Sequence, residues 1–332
     1  MEMTIFAGFI IFLALVFDFL NGMNDAANSI ATIVSTRVLS PKIAVAWAAF
    51  FNLVAAFGFG VGVAQTIGTG VVSPDMVSLF FILAVLAGAV IWTHVCTLMG
   101  LPISVSHALV GGIIGAGLVK GGVKVLILPG ILKITIFIFL SPLIGMALSI
   151  LFSIAVAWVF RNRHSGAVDR FFRIGQLVSS GMFSLGHGSN DAQKTMGIIV
   201  MVLVATGLQE GFFVPVWVIL SCHLAIAAGT LLGGWRVVRT LGMRVTKLMP
   251  VDGFCAEMAA AASIIGNSFA GIPVSTIHTI TGSIIGVGSV HRFSAVRWGI
   301  AGNIVMAWVL TIPGSAAVSG LVYGFFRMSG AS

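Results

Sequence analysis

The 332-residue sequence predicts an all-α integral membrane protein. It would have about 10–12 membrane segments, built as two inverted-topology repeats with discontinuous helices or re-entrant segments. Three observations predict this: a composition too apolar for water, apolar runs recurring from end to end, and a pair of motifs that each occur twice.

Hydrophobic residues make up 58% of the chain and charged residues only 8%. A soluble domain carries about a quarter charged residues. So few charges cannot cover a water-facing surface, so lipid must be the solvent for most of the chain. Runs of about 20 apolar residues recur, as spanning helices require. Ile5 to Phe17 looks like a signal peptide, but no basic segment precedes it and no small-residue cleavage site follows. It reads as the first membrane segment. Cys96, Cys222 and Cys255 have neither metal-ligand spacing nor a disulfide pattern, and read as small core hydrophobes.

The formal charge of +8 marks topology rather than nucleic-acid binding. Bases gather at Arg37 and Lys42, from Arg161 to Arg173, and from Arg236 to Lys247, while Gln65–Ser78 and Thr206–Phe213 have none. The basic loops are therefore expected in the cytoplasm.

Gly22-Met23-Asn24-Asp25-Ala26 recurs as Gly188-Ser189-Asn190-Asp191-Ala192. Pro102-Ile103-Ser104-Val105-Ser106-His107 recurs as Pro273-Val274-Ser275-Thr276-Ile277-His278, and Gly111, Gly115 and Gly117 match Gly282, Gly286 and Gly288. The two offsets, 166 and 171 residues, nearly agree. Two unrelated elements in one order at one spacing imply two homologous halves, 1–160 and 174–332, joined by a basic linker at 161–173. Equivalent loops carry opposite charge patterns: Arg37 and Lys42 correspond to a base-free loop in the second half, and Gln65–Ser78 to the basic Arg236–Lys247. The halves should thus be inverted, a common plan for secondary transporters. Lys120 and Lys124 against Arg292 and Arg297 do not discriminate.

Apolar helices are expected near 4–20, 43–64, 77–98, 125–140 and 143–160, then near 174–187, 215–235, 254–270 and 298–325. The motif segments near 22–36, 102–118, 188–204 and 273–288 are short and rich in small residues, which points to broken helices around a midplane site.

Asp25 and Asp191 carry the chemistry. A carboxylate at bilayer depth costs about 2.5–3.5 kcal/mol and needs a cation, a proton or a base. Asn28 follows Asp25 by three residues and Lys194 follows Asp191 by three, which puts each pair on one helix face. Helix capping by the Asn-Asp pair is the plainer reading, but a cap does not need the whole cluster twice. Pro-x-Ser suits a helix start, where free N–H groups and hydroxyls make an anion cradle. Ser104, Ser106, Ser275 and Thr276 are candidate ligands, against the plainer role of hydroxyls packing between helices. The histidines His94, His107, His187, His223 and His278 read mostly as interhelical hydrogen-bonders, with a proton role open to the repeated pair His107 and His278. Glu257, opposite Leu86 in the repeat, is a candidate coupling-ion ligand. Asp18 lies seven residues before Asp25 and could extend the same polar face.

Gly22 to Ser29, Gly188 to Lys194 and the two Pro-Ser elements resemble the inorganic phosphate transporter (PiT) family. The resemblance involves both halves and nearly the whole chain, without the large central cytoplasmic loop of animal members. It implies symport of inorganic phosphate with Na⁺ or H⁺, inverted repeats, a homodimer and a multi-pass place in the cell membrane. Many bacterial relatives are thought to move neutral metal–phosphate complexes with protons. No cofactor is implied beyond the coupling ion. The family's substrate-binding residues map onto Asp25, Asn28, Ser104, Ser106, Asp191, Ser275 and Thr276, and its coupling-ion ligands onto the motif asparagines Asn24 and Asn190 with Asp25 and Asp191. Phosphate makes physical sense here, because at neutral pH it keeps a proton that a carboxylate can accept, whereas sulfate has none to offer. A sulfate or other oxyanion permease of the same superfamily is the nearest alternative. An intramembrane aspartyl protease is remote: Asn precedes each Asp, a Tyr-Asp partner is missing and the only tyrosine is Tyr323. A passive channel would be told apart by its inability to concentrate solute.

Overall fold

The computed structural model describes residues 2–233, 235, 237, 238 and 246–330. These residues form eleven α-helices joined by short turns: α1 Glu2–Ser35, α2 Pro41–Val54, α3 Gly62–Gly70, α4 Leu79–Met99, α5 Val105–Gly121, α6 Leu128–Phe160, α7 Ser165–Ala205, α8 Val216–Leu232, α9 Pro250–Phe269, α10 Thr276–His291 and α11 Trp298–Met328. Five described helices are long and apolar enough to cross a membrane, or six if α2 and α3, bent by 79°, count as one broken span. Most of the basic loop Arg236–Lys247 lies outside the described residues.

Polarity runs inside out, as lipid demands. Phe12, Phe139, Trp158 and Leu321 are exposed, while Asp18, Asp25, Asp191, Lys194 and Glu257 are buried. A water-soluble protein would not show so much apolar surface beside so polar an interior. The protein is a multi-pass membrane protein. All three cysteines are buried and free.

The expected breaks at the Asn-Asp motifs do not occur. Segments 4–20 and 22–36 are one helix, α1, and segments 174–187 and 188–204 are one helix, α7. Asn24-Asp25 and Asn190-Asp191 therefore sit mid-helix, which removes the capping reading. Continuity has a physical reason: in lipid an unpaired backbone group costs several kcal/mol, so polar side chains alone do not open a helix. The expected division at Pro142 is absent too, because α6 runs through it just as α11 runs through Pro313. Most of the 161–173 linker is also helical, since α7 already starts at Ser165.

The true breaks are at the tips of two helical hairpins, α4–α5 and α9–α10. Each first helix ends at a glycine with positive φ, Gly100 at 72° and Gly271 at 65°. There the same two bonds close the turn: Gly100 N–H to Thr97 C=O and Leu101 N–H to Cys96 C=O, against Gly271 to Ser268 and Ile272 to Asn267. This is the glycine-terminated helix end that a Cβ would strain. Just beyond, Ser104 and Ser275 cap the returning helices, each accepting from the N–H three residues on at 3.4 Å. The prolines thus precede the helices rather than occupying their first turn, and the serines are the caps.

Repeated glycines decide the packing. A Cβ on Gly111 or Gly115 would lie 2.5 or 2.0 Å from the carbonyl oxygens of Ile312 or Ala316 on α11. On Gly282 it would meet Pro142 O of α6 at 2.1 Å, and on Gly286 Met146 O at 2.6 Å. Backbones this close gain the dispersion contacts that hold membrane helices together. Ser315 and Ser319 of α11 add hydrogen bonds to Ala108 O and Gly112 O of α5, at 2.5 and 2.8 Å.

Candidate functional site

The two hairpin tips press against the middles of α1 and α7, and Asn24 and Asn190 hold them there. Asn24 Nδ2 donates to Ile103 O at 3.3 Å and its Oδ1 accepts from Thr97 Oγ1 at 3.0 Å. In the other half, Asn190 Nδ2 donates to Ser268 Oγ at 2.9 Å and to Ile272 O at 3.3 Å, while its Oδ1 accepts from Val274 N at 3.2 Å. These asparagines, expected as coupling-ion ligands, have their amides engaged with the tips. Asn24→Ala is expected to cost about 1–3 kcal/mol, because the tip's polar groups lose their partners in a buried place. Thermal unfolding in detergent checks this, and an unchanged midpoint would show that the tether carries no stability.

Tethering brings residues of distant helices to one point. Thr276 Oγ1, at the start of α10, lies 3.3 Å from Asp25 Oδ2 and 3.1 Å from Asp191 Oδ2. Asn28 Nδ2 donates to the same hydroxyl at 3.4 Å. Asp25 Oδ1 accepts from Asn24 Nδ2 at 2.7 Å. Asp25, Asn28, Asp191 and Thr276, separated by up to 251 residues, are thus neighbours.

Lys194 is the decisive asymmetry. Its ammonium donates to Asp191 Oδ1, to Ser106 Oγ at 2.5 Å and to Val274 O at 2.9 Å. An ammonium has three protons, and all three are used. One lysine so joins α7 to both hairpin tips. Its repeat partner Asn28 carries no charge and donates to Thr276 of the second tip. Ser106 is therefore in the cluster, whereas Ser104 and Ser275 face their own helix turns as caps.

His187 completes the group. Its Nε2 lies 3.3 Å from Asp191 Oδ2 and 3.9 Å from Asp25 Oδ2, the first without hydrogen-bond alignment. Asn52 orients the ring: its amide donates to Thr230 Oγ1 at 3.0 Å, so its carbonyl faces His187 Nδ1 at 3.1 Å. Nδ1 therefore carries a proton, and Nε2 faces the two carboxylates. Asp25, His187 and Asp191 could each offer one atom to a cation, all within 4.8 Å of one another.

Sequence reasoning passed over His187 and did not place Lys194 among the ligands. Their spacing from Asp191, one helical turn before and just under one after, was the available signal. Glu257 lies apart. It accepts from Thr32 Oγ1 and Ser179 Oγ at 2.5 Å each and from Gln176 Nε2 at 3.1 Å. Thr32 is seven residues beyond Asp25, about 10 Å along α1. His107 and His278 form an edge-to-face pair at 4.4 Å, with His278 stacked on Trp308 at 3.6 Å.

The sequence pattern of the Phosphate transporter family matches residues 21–319. The chain belongs to that family. Its relatives include a probable low-affinity inorganic phosphate transporter of Rhizobium meliloti (strain 1021), 54% identical over 95% of this chain and 94% of that one. Another, of Bacillus subtilis (strain 168) and described in the same words, is 39% identical over 96% of each chain. A solved structure described as "The sodium-dependent phosphate transporter" superposes with a TM-score of 0.88 at 26% identity, covering 99% of this chain and 100% of the other. These relatives are transporters rather than enzymes, which sets the protease alternative aside. Both motif copies and both hairpins lie inside the matched residues, so the cluster around Asp25 and Asp191 belongs to the part that defines the family.

Proposed function

We propose that this chain carries inorganic phosphate across the cell membrane in symport with H⁺ or Na⁺, at the cluster between α1, α7 and the two hairpin tips. The observation that carries the reading is the meeting of Asp25, Asp191 and Lys194 in one buried place. Two carboxylates against one ammonium leave the cluster with no net positive charge even when His187 is protonated. An incoming phosphate makes the cluster net negative inside a low dielectric, where repulsion is strong. A cation bound with it relieves the repulsion, so anion and cation travel together.

Asp25 and Asp191 link cation to anion in this reading. Asn28, Ser106 and Thr276, with the first-turn N–H groups beyond the caps Ser104 and Ser275, hold phosphate oxygens. The superposed relative is a sodium-dependent transporter, which favours Na⁺ as a coupling ion. Glu257, hydrogen-bonded on α9, serves a coupling ion at a second place along α1. Metal–phosphate as the carried species fits a cluster with no positive charge to spare for a bare anion. The matching hairpin ends and caps support two inverted halves, 1–160 and 174–332, meeting at the centre. The assembly is read as a homodimer, which crosslinking in membranes would check.

Proteoliposomes with imposed Na⁺ and pH gradients should accumulate labelled phosphate, with little competition from sulfate. Asp25→Asn should lose that uptake. Uptake by the variant at the wild-type rate would remove Asp25 from the mechanism, and equal competition by sulfate would turn the reading to an oxyanion permease.

A further inference from the structure

Asp18 lies two turns before Asp25 on α1 and is fully buried. Neither of its carboxylate oxygens has a hydrogen bond. Its polar neighbours are Asn21 on the same helix and Thr195 on α7. Asn21 Oδ1 and Thr195 Oγ1 are buried and likewise unbonded. Four buried side-chain oxygens here thus have no aligned partner, with Asn21 and Thr195 near the carboxylate, whereas Asp25, Asp191 and Glu257 all accept hydrogen bonds. The charged or titratable groups that act on Asp18 from α7 are Asp191 and His187, and from α8 Cys222. Among the described residues no Lys or Arg pairs with it.

An isolated ionised carboxylate is too costly to bury in this state. Something positive must sit on it. The side-chain oxygens on hand come from Asp18, Asn21 and Thr195. Hard cations such as Ca²⁺ take six to eight oxygens. A proton needs one. On Asp18 it also closes the hydrogen-bond account: the carboxylic O–H donates to Asn21 Oδ1, and Thr195 O–H donates to the remaining carboxyl oxygen.

We propose that Asp18, with Asn21 and Thr195, is a proton-binding site separate from the Asp25–Asp191 pair, and that it gives the carrier a proton-coupled component. This deepens the transport reading and rests on it for the coupling. Binding moves one proton from water to a carboxylate oxygen of Asp18, and release returns it. Because Asp191 and His187 are within electrostatic reach, a charge change on Asp18 is felt at the central cluster.

Infrared difference spectra in H₂O and D₂O test the site without transport. With Glu257→Gln introduced throughout to remove the other buried acid, the otherwise wild-type protein and Asp25→Asn should show at neutral pH a protonated-carboxyl band that Asp18→Asn lacks. Adding Na⁺ should leave the band in place. A band that survives in Asp18→Asn, or that Na⁺ abolishes in the otherwise wild-type protein, would overturn the proposal. In proteoliposomes, pH-gradient stimulation of phosphate uptake should fall in Asp18→Asn to the level seen without a gradient. Stimulation equal to wild type would overturn the coupling role. If the wild type moves no phosphate under any gradient, the transport reading fails, and the infrared result still decides whether Asp18 holds a proton.

Discussion

Lys194→Met is expected to abolish phosphate uptake and to leave little folded protein. The substitution keeps the length of the side chain and removes its charge. Asp191 then stays buried with its cation gone, and Ser106 and Val274 lose a donor. Removing one partner of a buried ion pair costs about 3–5 kcal/mol, a large share of a protein's stability. Asp191→Asn combined with Lys194→Met removes both charges, and should restore folding but not uptake. Thermal unfolding and gel filtration in detergent separate the two effects. If the double variant transports phosphate, Lys194 and Asp191 hold the structure together and nothing more. If the single variant is as stable as the wild type, the ion pair does not stabilise the hairpin tips.

Gly22→Val should be nearly as damaging, by another route. Already at the Cβ position an added atom would lie 2.1 Å from Ile226 O on α8. That is backbone against side chain, with no flexible end to yield, so α1 and α8 must separate. Gly22 is one turn before Asp25, and the displacement reaches the cluster directly. The cost exceeds the roughly 1–3 kcal/mol usual for overpacking a core. Loss of the monodisperse detergent-solubilised species is the measurement. A valine variant with wild-type unfolding and uptake would show that α1 and α8 need not touch. Gly188, its repeat partner, meets the backbone of Asn52 at 2.8 Å and predicts the same outcome more weakly.

Much of the site was legible because its chemistry is duplicated. Asp25 and Asp191 stood out as carboxylates in apolar surroundings, and the Pro-Ser elements as helix starts. What misled was local reasoning about breaks. Polar residues and glycines suggested that α1 and α7 stop at their motifs, yet Gly22 and Gly188 serve close helix contacts instead. His187 was passed over because a lone histidine in an apolar run has a plainer use. Only the Asn52 carbonyl, 135 residues away, turns its Nε2 toward the carboxylates. Asp18 was visible as an acid, but nothing in the sequence said that its oxygens lack partners.

By itself the sequence determined that the chain lives in lipid and that an Asn-Asp and a Pro-Ser element each occur twice, in the same order and at nearly one spacing. Composition, repetition and the cost of a buried charge are properties of the chain, independent of its path. Tertiary structure alone decided that the asparagines tie hairpin tips to helices, that Lys194 bridges both tips, and that Glu257 and Asp18 stand apart from the centre. Those outcomes depend on which side chains meet across gaps of 73 residues or more, and helical spacing reaches only along a single helix.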